Sequence, residues 1–333
     1  MKAIVFEGPE KISVKEVAFP QEKEGWVLVE VSHAGICGSD MTIFWGKHPR
    51  ARAPLVLGHE FSGRIASDHP TLPRGTLVTS YPYLACGKCQ VCESGGSNTC
   101  TTLKLVGIDL DGGMAEYVLA PSDSVYAAPK GVSPKLAAFI EPIGISVHAM
   151  RHGGYRPGDR VAVFGAGAIG LAVAITLRQY GAGDLMICES NPQRLELARS
   201  MGFDVIASGP DALDQIYSRT DGRGADCVFD CAGHQSVIDV LPDAVRINGR
   251  IVIVAGYKNP PQMNFQKGMM REFVIQFVRN CTRQDFEIAC SLTGKSGDYE
   301  KLLNCVLPIE RAEEGFDAAI HPKEAIKVMF CME

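Results

Sequence analysis

Residues 160–174 read R-V-A-V-F-G-A-G-A-I-G-L-A-V-A, and this stretch decides the fold of the second half of the chain. Its apolar opening has the length of a buried strand, and residues 168–180 continue with the composition of a helix. Between them, Gly165, Gly167 and Gly170 form the spacing G-x-G-x-x-G. A lone match of this spacing is weak support, so the interpretation depends on the strand and the helix around it.

An acidic residue follows at the distance that a nucleotide site requires. A second predicted strand, 184–188, leads to Glu189, nineteen residues past Gly170. Glycines let the backbone approach a pyrophosphate at a helix N-terminus, and such an acidic residue binds the ribose hydroxyls. We therefore expect a dinucleotide site formed by the three glycines, Ile169 and Glu189, the alternative being a glycine-rich turn that binds nothing. Glu189 should repel a 2′-phosphate and favour NAD over NADP, whereas Arg194 could bind such a phosphate.

The remainder of this half alternates strands and helices. Strands are predicted at 226–229, 250–254 and 273–278, and a helix at 192–201. This alternation predicts a doubly wound parallel sheet, an α/β Rossmann domain over residues 149–285. The sequence pattern of segment 286–333 differs from this alternation of strands and helices, and we expect the segment to return to the first domain.

The first half, residues 1–148, has the pattern of an irregular β-rich domain. Its one long helical pattern lies near 134–150. Short strands separated by glycine and proline are predicted elsewhere, at 2–6, 26–32, 76–79, 116–120 and 124–127.

The composition excludes several classes of function. The chain has 333 residues, enough for two domains, and a net charge of −5 without a basic run argues against a nucleic-acid partner. The longest apolar run, 161–177, contains three glycines and divides into a strand and a helix, so no membrane span is expected. The first ten residues lack the apolar core of an export signal. We expect a cytoplasmic protein whose twelve cysteines stay reduced or bind metal.

Four of those cysteines are closely spaced in a polar loop. Cys86, Cys89, Cys92 and Cys100 form C-x2-C-x2-C-x7-C. Four thiolates at this spacing can enclose one Zn²⁺ completely, which is typical of a structural site. The alternatives are four reduced surface thiols or two disulfides.

A second set of metal-ligand types comes from two glycine-rich motifs, G-I-C-G-S-D and L-G-H-E-F-S-G. They supply a thiol, an imidazole and two carboxylates, Cys37, His59, Asp40 and Glu60. This mixture suits Zn²⁺, although these could also be ordinary core residues. Glu141 lies in an otherwise apolar segment, where a carboxylate needs a partner or a metal, or else caps a helix. With Cys37 and His59 it completes three protein ligands, the number that an open catalytic zinc requires.

Taken together, these motifs resemble those of the zinc-dependent medium-chain dehydrogenase/reductase family, the alcohol dehydrogenase superfamily. The pair Glu141-Pro142, the C-T-T-L at 100–103 and the H-P at 48–49 are similar to the sorbitol, polyol and hexonate branch. The resemblance implies a GroES-like β-rich catalytic domain, a Rossmann domain and an active site in the cleft between them. It also implies two zinc ions per subunit, one catalytic and one structural, and a homodimer or homotetramer.

The resemblance also implies the ligands of the catalytic zinc. Cys37, His59 and Glu141 would hold it, and Glu60 would touch it directly or through water. Asp40 would orient His59 from behind.

Further roles follow from the same resemblance. Ser39 would bond the substrate oxygen and carry its proton away. Thr42 stands where many relatives have a relay histidine, and His48 could replace that histidine. Phe44 would line the substrate pocket, and Arg279 would contact substrate or cofactor.

The implied reaction transfers a hydride from a secondary alcohol, namely a polyol, sugar alcohol or sugar acid, to NAD and yields a ketone. The alternatives are a butanediol or simple secondary-alcohol dehydrogenase, a threonine-type amino-alcohol dehydrogenase, and a non-catalytic binding member of the fold. Glu141 argues against the threonine type, whose members usually have an aspartate there.

Overall fold

The computed structural model describes residues 1–322 and 324–332. The strands, in chain order, are β1 (Lys2–Gly8), β2 (Lys11–Glu16), β3 (Trp26–Gly35), β4 (Leu55–Val56), β5 (Glu60–Ile65), β6 (Leu77–Ser80), β7 (Tyr83–Leu84), β8 (Lys104–Leu105), β9 (Tyr117–Pro121), β10 (Val125–Ala127), β11 (Val161–Phe164), β12 (Leu185–Glu189), β13 (Asp204–Ala207), β14 (Ala225–Asp230), β15 (Val245–Ile253), β16 (Val274–Phe277), β17 (Cys305–Pro308) and β18 (Val328–Cys331). The α-helices are α1 (Gly38–Phe44), α2 (Gln90–Glu93), α3 (Pro134–Ala138), α4 (Ile140–His152), α5 (Ala168–Gln179), α6 (Pro192–Ser200), α7 (Ala212–Arg219), α8 (Gln235–Ala244), α9 (Phe265–Arg271), α10 (Arg283–Thr293) and α11 (Ala312–Ile320).

The chain divides by its contacts into two compact units. One comprises Met1–Pro142 and the chain from Thr282 onward, and the other comprises Ile143–Cys281. These boundaries lie six and four residues before the positions 148 and 285 expected from the sequence.

The first unit is built from mainly antiparallel sheets, in which β17 and β18 are the pair that runs parallel among the described strands. Its largest sheet has the strand order β10-β6-β5-β3-β18-β17, and β9 also pairs with β3. A three-stranded sheet, β2-β1-β4, and a ribbon, β7-β8, complete the unit. The C-terminal strand β18 pairs with β3 and sets Met329 opposite Gly35, so the tail of the chain lies in the sheet of the first unit.

The helical stretch expected near 134–150 is two helices, α3 and α4, separated at Phe139. The cause is Pro142, whose ring would meet the carbonyl of Ala138 in a continuous helix and which has no N–H to donate to it. The interruption places Glu141 in the first turn of α4.

The second unit is a parallel sheet of six strands in the order β13-β12-β11-β14-β15-β16. This confirms the predicted doubly wound α/β fold. Strand β11 is buried along its whole length, as expected for a parallel strand that is covered on both faces. The chain order reverses between β11 and β14, and ligands of such sheets bind beyond the carboxyl ends of the strands at this point. None of the helices formed by residues 1–322 and 324–332 has the length and apolar character needed to span a membrane.

Candidate active site

The first candidate site lies where β3 and β5 pair in the first unit. Gly35, near the end of β3, is opposite Glu60, the first residue of β5. Cys37 follows β3 as the N-cap of α1, and His59 directly precedes β5. One ligand atom from each of Cys37, His59 and Glu60 lies within 4.8 Å of the others. The strand pairing thus brings together residues that are more than 20 positions apart in the chain.

The chemistry of this cluster fits zinc. Sulfur, nitrogen and oxygen donors converge, and the His59 and Glu60 side chains are buried. Among the described residues, His59 Nδ1 and Ser39 Oγ are buried without a hydrogen-bond partner. Burial alone would lower the pKa of His59, but the negative charges of Cys37 and nearby carboxylates outweigh it and raise that pKa well above 6.5. The surroundings of His59 therefore favour a cation.

Asp40 is fully buried and lies beside His59. Its Oδ2 accepts a hydrogen bond of 2.8 Å from the Cys37 amide, which fixes the first turn of α1. Its Oδ1 lies 3.9 Å from His59 Nδ1, beyond hydrogen-bond distance. Burial raises the pKa of Asp40, and His59 opposes the rise. The orientation of His59 by Asp40 stays a prediction, while the contact of Asp40 with the Cys37 backbone is direct.

Glu141, the third zinc ligand expected from the sequence, is contacted by a tyrosine hydroxyl. Its carboxylate is buried and accepts a hydrogen bond from the Tyr83 hydroxyl. The cluster that forms within 4.8 Å contains Glu60 and not Glu141. Burial raises the pKa of Glu141 to about 7, the charge of His59 lowers it, and Glu60 adds to the rise. Glu141 thus lies within electrostatic reach of both residues, and its role as a ligand stays a prediction.

Lys327 also reaches this site, and the sequence interpretation missed it. Its side chain is buried, forms an ion pair with Glu60, and donates a hydrogen bond of 2.8 Å to the Ile36 carbonyl. The signal was present in the sequence. Lys327 lies just before β18 within the otherwise apolar segment 325–331, where an unpaired buried cation would be strongly unfavourable.

The predicted proton-relay residues lie on α1 and on the loop that follows it. Ser39 is in the first turn of α1, and the Thr42 hydroxyl donates to the Gly38 carbonyl at 3.1 Å. His48 Nδ1 accepts a hydrogen bond of 3.1 Å from the Ala51 amide, so this nitrogen stabilises a turn. The relay role of His48 stays a prediction.

The two predicted substrate contacts lie in different units. The Phe44 ring packs 5.6 Å from the ring of Phe316, centroid to centroid, in the first unit. Arg279 is exposed and follows the edge strand β16 in the second unit. Their roles toward a substrate stay predictions.

The four cysteines of the polar loop form a second cluster. One sulfur from each of Cys86, Cys89, Cys92 and Cys100 lies within 4.8 Å of the others. The Cys89 sulfur is 3.5 Å from that of Cys92 and 4.0 Å from that of Cys100, close to the roughly 3.8 Å that tetrahedral Zn–S bonds of about 2.3 Å would give. Hydrogen bonds from the backbone, Thr101 first, lower the pKa of Cys89 to about 5 and favour its thiolate. The cysteines are not paired as disulfides.

The glycine motif lies at the carboxyl end of β11 in the second unit. Gly165 has a φ of +99°, which L side chains rarely adopt. A Cβ at Gly170 would overlap the Gly165 carbonyl oxygen, so only glycine permits this turn. Gly167 is the N-cap of α5, whose first turn contains Ile169. The amide groups that begin α5 therefore face the loop that the fingerprint predicts as a pyrophosphate site.

Glu189, at the end of β12, is buried and has three backbone donors. Its carboxylate accepts hydrogen bonds from the amides of Ala166 at 2.7 Å, Ser190 at 2.7 Å and Asn191 at 2.8 Å. The Arg194 guanidinium lies beside Gly167, and its Nε is buried without a hydrogen-bond partner in the described part of the chain. Glu189 thus joins the glycine loop to the loop after β12, a role that the motif did not reveal.

Asp230, at the end of β14, accepts hydrogen bonds from the loop after β14 and from the loop after β15. It accepts hydrogen bonds from the amides of Ala232 at 2.9 Å and Gly233 at 3.1 Å, and from the Tyr257 hydroxyl. A Cβ at Gly165 would lie 3.1 Å from the Ala232 nitrogen, so this loop lies against the glycine turn. The sequence interpretation did not include Asp230, although an acidic residue that ends an apolar strand was a usable signal.

Comparisons with known proteins identify the family of the chain. Residues 23–130 match the family model of the alcohol dehydrogenase GroES-like domain, and residues 168–295 match that of the zinc-binding dehydrogenase. The chain is 34% identical over 340 residues to a sorbitol dehydrogenase of Halalkalibacterium halodurans, covering 99% of this chain and 98% of the relative. It is 31% identical over 291 residues to the L-galactonate-5-dehydrogenase of Escherichia coli K12, covering 86% and 85%.

Solved structures show the same similarity. A crystal structure described as a short chain alcohol dehydrogenase, rspB, from Escherichia coli CFT073 in complex with NADH has a TM-score of 0.91. Its sequence identity is 29%, and the match covers 100% of this chain and 99% of that chain. The predicted GroES-like domain and Rossmann domain are thereby confirmed. The chain is an NAD(P)-dependent enzyme of the zinc-containing medium-chain alcohol dehydrogenase family.

Proposed function

We propose that the enzyme transfers a hydride from the secondary alcohol of a polyol, sugar alcohol or sugar acid to NAD and produces a ketone. The observation that carries the proposal is the convergence of Cys37, His59 and Glu60, with the Ser39 hydroxyl buried nearby on α1. The similarity to a sorbitol dehydrogenase and an L-galactonate-5-dehydrogenase supports this substrate class.

The proposed ligands of the catalytic zinc are Cys37, His59 and Glu141, with Glu60 as a neighbouring carboxylate. Zinc bound there would act as a Lewis acid that lowers the pKa of an alcohol hydroxyl. The chain contributes the negative surroundings of this position, because Asp40 and Glu141 are both buried near His59. The four-cysteine cluster is proposed to hold a second, structural zinc.

The proton of the substrate hydroxyl is proposed to leave through residues of α1 and the loop after it. The Ser39 oxygen has no protein hydrogen-bond partner among the described residues, so it is available to accept a hydrogen bond from the alcohol. Imidazole side chains exchange protons near neutral pH, so His48 is proposed to pass the proton onward to solvent.

The proposed cofactor is NAD rather than NADP. The glycine loop would hold the pyrophosphate and Glu189 would accept hydrogen bonds from the ribose, with Arg194 and Arg279 as further contacts. A buried carboxylate repels a 2′-phosphate, and Glu189 is 7% exposed. NAD held by these residues would supply the hydride acceptor for the carbinol carbon.

A homo-oligomer is proposed as the assembly. Large apolar side chains are exposed around the edge strand β16, Phe265 at 77%, Met270 at 74% and Phe277 at 68%. Such a patch beside an edge strand is suited to pairing with a second copy. Light scattering of the wild type and of Phe277→Asp tests this, since a monomer in both cases would contradict it.

The substrate proposal is tested by NAD reduction with polyols, hexonates, diols and amino alcohols, each with and without a chelator. Preference for a polyol or hexonate, lost on chelation, is the expected result. Preference for butanediol or threonine would replace the substrate class. No turnover of any alcohol by protein loaded with zinc would favour a non-catalytic binding member.

A further inference from the structure

Lys327 forms a buried pair with Glu60, and the reaction described above gives this lysine no role. Glu60 is 1% exposed and Lys327 is 5% exposed. The Lys327 ammonium pairs with Glu60 Oε2, donates to the Ile36 carbonyl, and lies 5.8 Å from the centre of the Phe139 ring. In the described part of the chain, Lys327 is the one lysine or arginine that is buried.

The fold provides the space for this pair at Gly35. A Cβ at Gly35 would overlap Glu60 Oε2 and would lie 2.9 Å from Lys327 Cε. Gly35 has no positive φ, so backbone conformation does not demand a glycine there. The Glu60–Lys327 ion pair itself therefore excludes a side chain at position 35. The arrangement combines three strands, since Gly35 is on β3, Glu60 begins β5 and Lys327 precedes β18.

Glu60 lies among other acidic side chains. Asp40 and Glu141 are buried within electrostatic reach of Glu60, and both are acidic. A buried carboxylate requires a partner, and Lys327 is the ionic partner of the Glu60 side chain in the described residues. A metal held by Cys37 and His59 would compete for the same carboxylate, because Glu60 belongs to their cluster.

We propose that Lys327 is a positioning residue that holds the Glu60 carboxylate in an ion pair and so keeps it from becoming a permanent metal ligand. Four-coordinate zinc has one position left after three protein ligands, and the substrate oxygen needs that position. A free Glu60 carboxylate would occupy it. The inference rests on the proposed function, since it concerns the proposed zinc ligands.

The test compares Lys327→Met, Glu60→Gln and the double variant, with Lys2→Met as the control. Lys2 also pairs with a glutamate, Glu310, but on the surface of the first unit, where such pairs contribute little. The readouts are zinc per subunit, the visible absorption of the cobalt-substituted enzyme, and kcat and KM. The four-cysteine cluster contributes equally to every cobalt spectrum.

Lys327→Met should retain both metals, lose at least tenfold in kcat, and show a shifted visible cobalt absorption, because a carboxylate oxygen would take the fourth position in place of water or substrate. In the Glu60→Gln background, Lys327→Met should change kcat less than twofold, because no carboxylate remains to be held. An unchanged cobalt spectrum in Lys327→Met would overturn the inference. So would an equal loss of kcat on Lys327→Met in the wild-type and Glu60→Gln backgrounds. If Lys327→Met does not fold, Gly35→Ala displaces the pair with both charges intact and should shift the cobalt spectrum in the same direction. An unaltered spectrum in Gly35→Ala would then refute the positioning role.

Failure of the proposed function gives a different result. Wild-type enzyme with no metal outside the four-cysteine cluster would remove the proposed function. Wild-type enzyme with two metals and full activity, together with an indifferent Lys327→Met variant, would remove only the inference about Lys327.

Discussion

Substitution of Glu189 by alanine should destabilise the second unit even without a cofactor. The carboxylate accepts hydrogen bonds from the amides of Ala166, Ser190 and Asn191, at 2.7, 2.7 and 2.8 Å. The Ala166 bond is buried, whereas the Ser190 and Asn191 bonds are partly buried. In Glu189→Ala the last two amides can bond to water, but the Ala166 amide loses its acceptor.

The size of the expected destabilisation follows from these three hydrogen bonds. A hydrogen bond to a charged group contributes about 1.5–3 kcal/mol, and a buried donor left without a partner costs about 1–3 kcal/mol. Because two of the three donors can be hydrated, we expect a loss of about 2–4 kcal/mol in the free energy of unfolding. For a unit of this size, about 4 °C per kcal/mol gives a fall in Tm of about 8–16 °C. Glu189→Gln retains an acceptor oxygen and should lose about half as much.

The assay is thermal unfolding of the cofactor-free enzyme, combined with hydrogen exchange of the peptide that carries Ala166. That amide should exchange faster in Glu189→Ala, and preference for NAD over NADP should fall in kinetics with both cofactors. A Tm within about 2 °C of the wild type, with unchanged exchange at Ala166, would refute the structural role of Glu189.

Three further predictions concern the metal sites and the glycine loop. Cys37→Ser and His59→Ala should abolish turnover but leave NAD affinity within about twofold in fluorescence titration, since they remove proposed zinc ligands only; wild-type rates in either would contradict this. Cys89→Ser should lose one zinc per subunit and lower Tm, because a closed cysteine site contributes to folding, and an unchanged Tm would speak against a structural zinc. Gly170→Ala should weaken NAD binding at least tenfold in calorimetry, because the new Cβ would overlap a backbone oxygen. Gly183→Ala is the control, since a Cβ there would meet nothing within 4 Å. Equal NAD affinities of the two variants would contradict the steric role of Gly170.

The local elements of the second unit were predictable because their signals are contiguous in the chain. The strand, the turn and the helix around Gly165 lie within 20 residues, and backbone geometry requires glycine at Gly165 and Gly170. The break at Phe139 was also encoded locally, by Pro142, but the apolar periodicity of residues 134–150 obscured it. Such elements follow from propensity and steric exclusion alone.

The environment of each carboxylate was less predictable because it depends on distant partners. The pairing of Glu60 with Lys327 joins residues 267 positions apart, and nothing near Glu60 in the sequence indicates it. Tyr83 likewise reaches Glu141 from a separate ribbon. Residue types indicated a metal site, but only the sheet registers show that the Glu60 carboxylate lies within 4.8 Å of the Cys37 and His59 ligand atoms.

The most direct test of the central claim is the zinc content of active enzyme together with that of Cys37→Ser. We expect two zinc ions per wild-type subunit, and one in an inactive Cys37→Ser variant that still unfolds near the wild-type Tm. Active wild-type enzyme with zinc only at the four-cysteine cluster would contradict it, and so would a Cys37→Ser variant that retains both ions and full turnover.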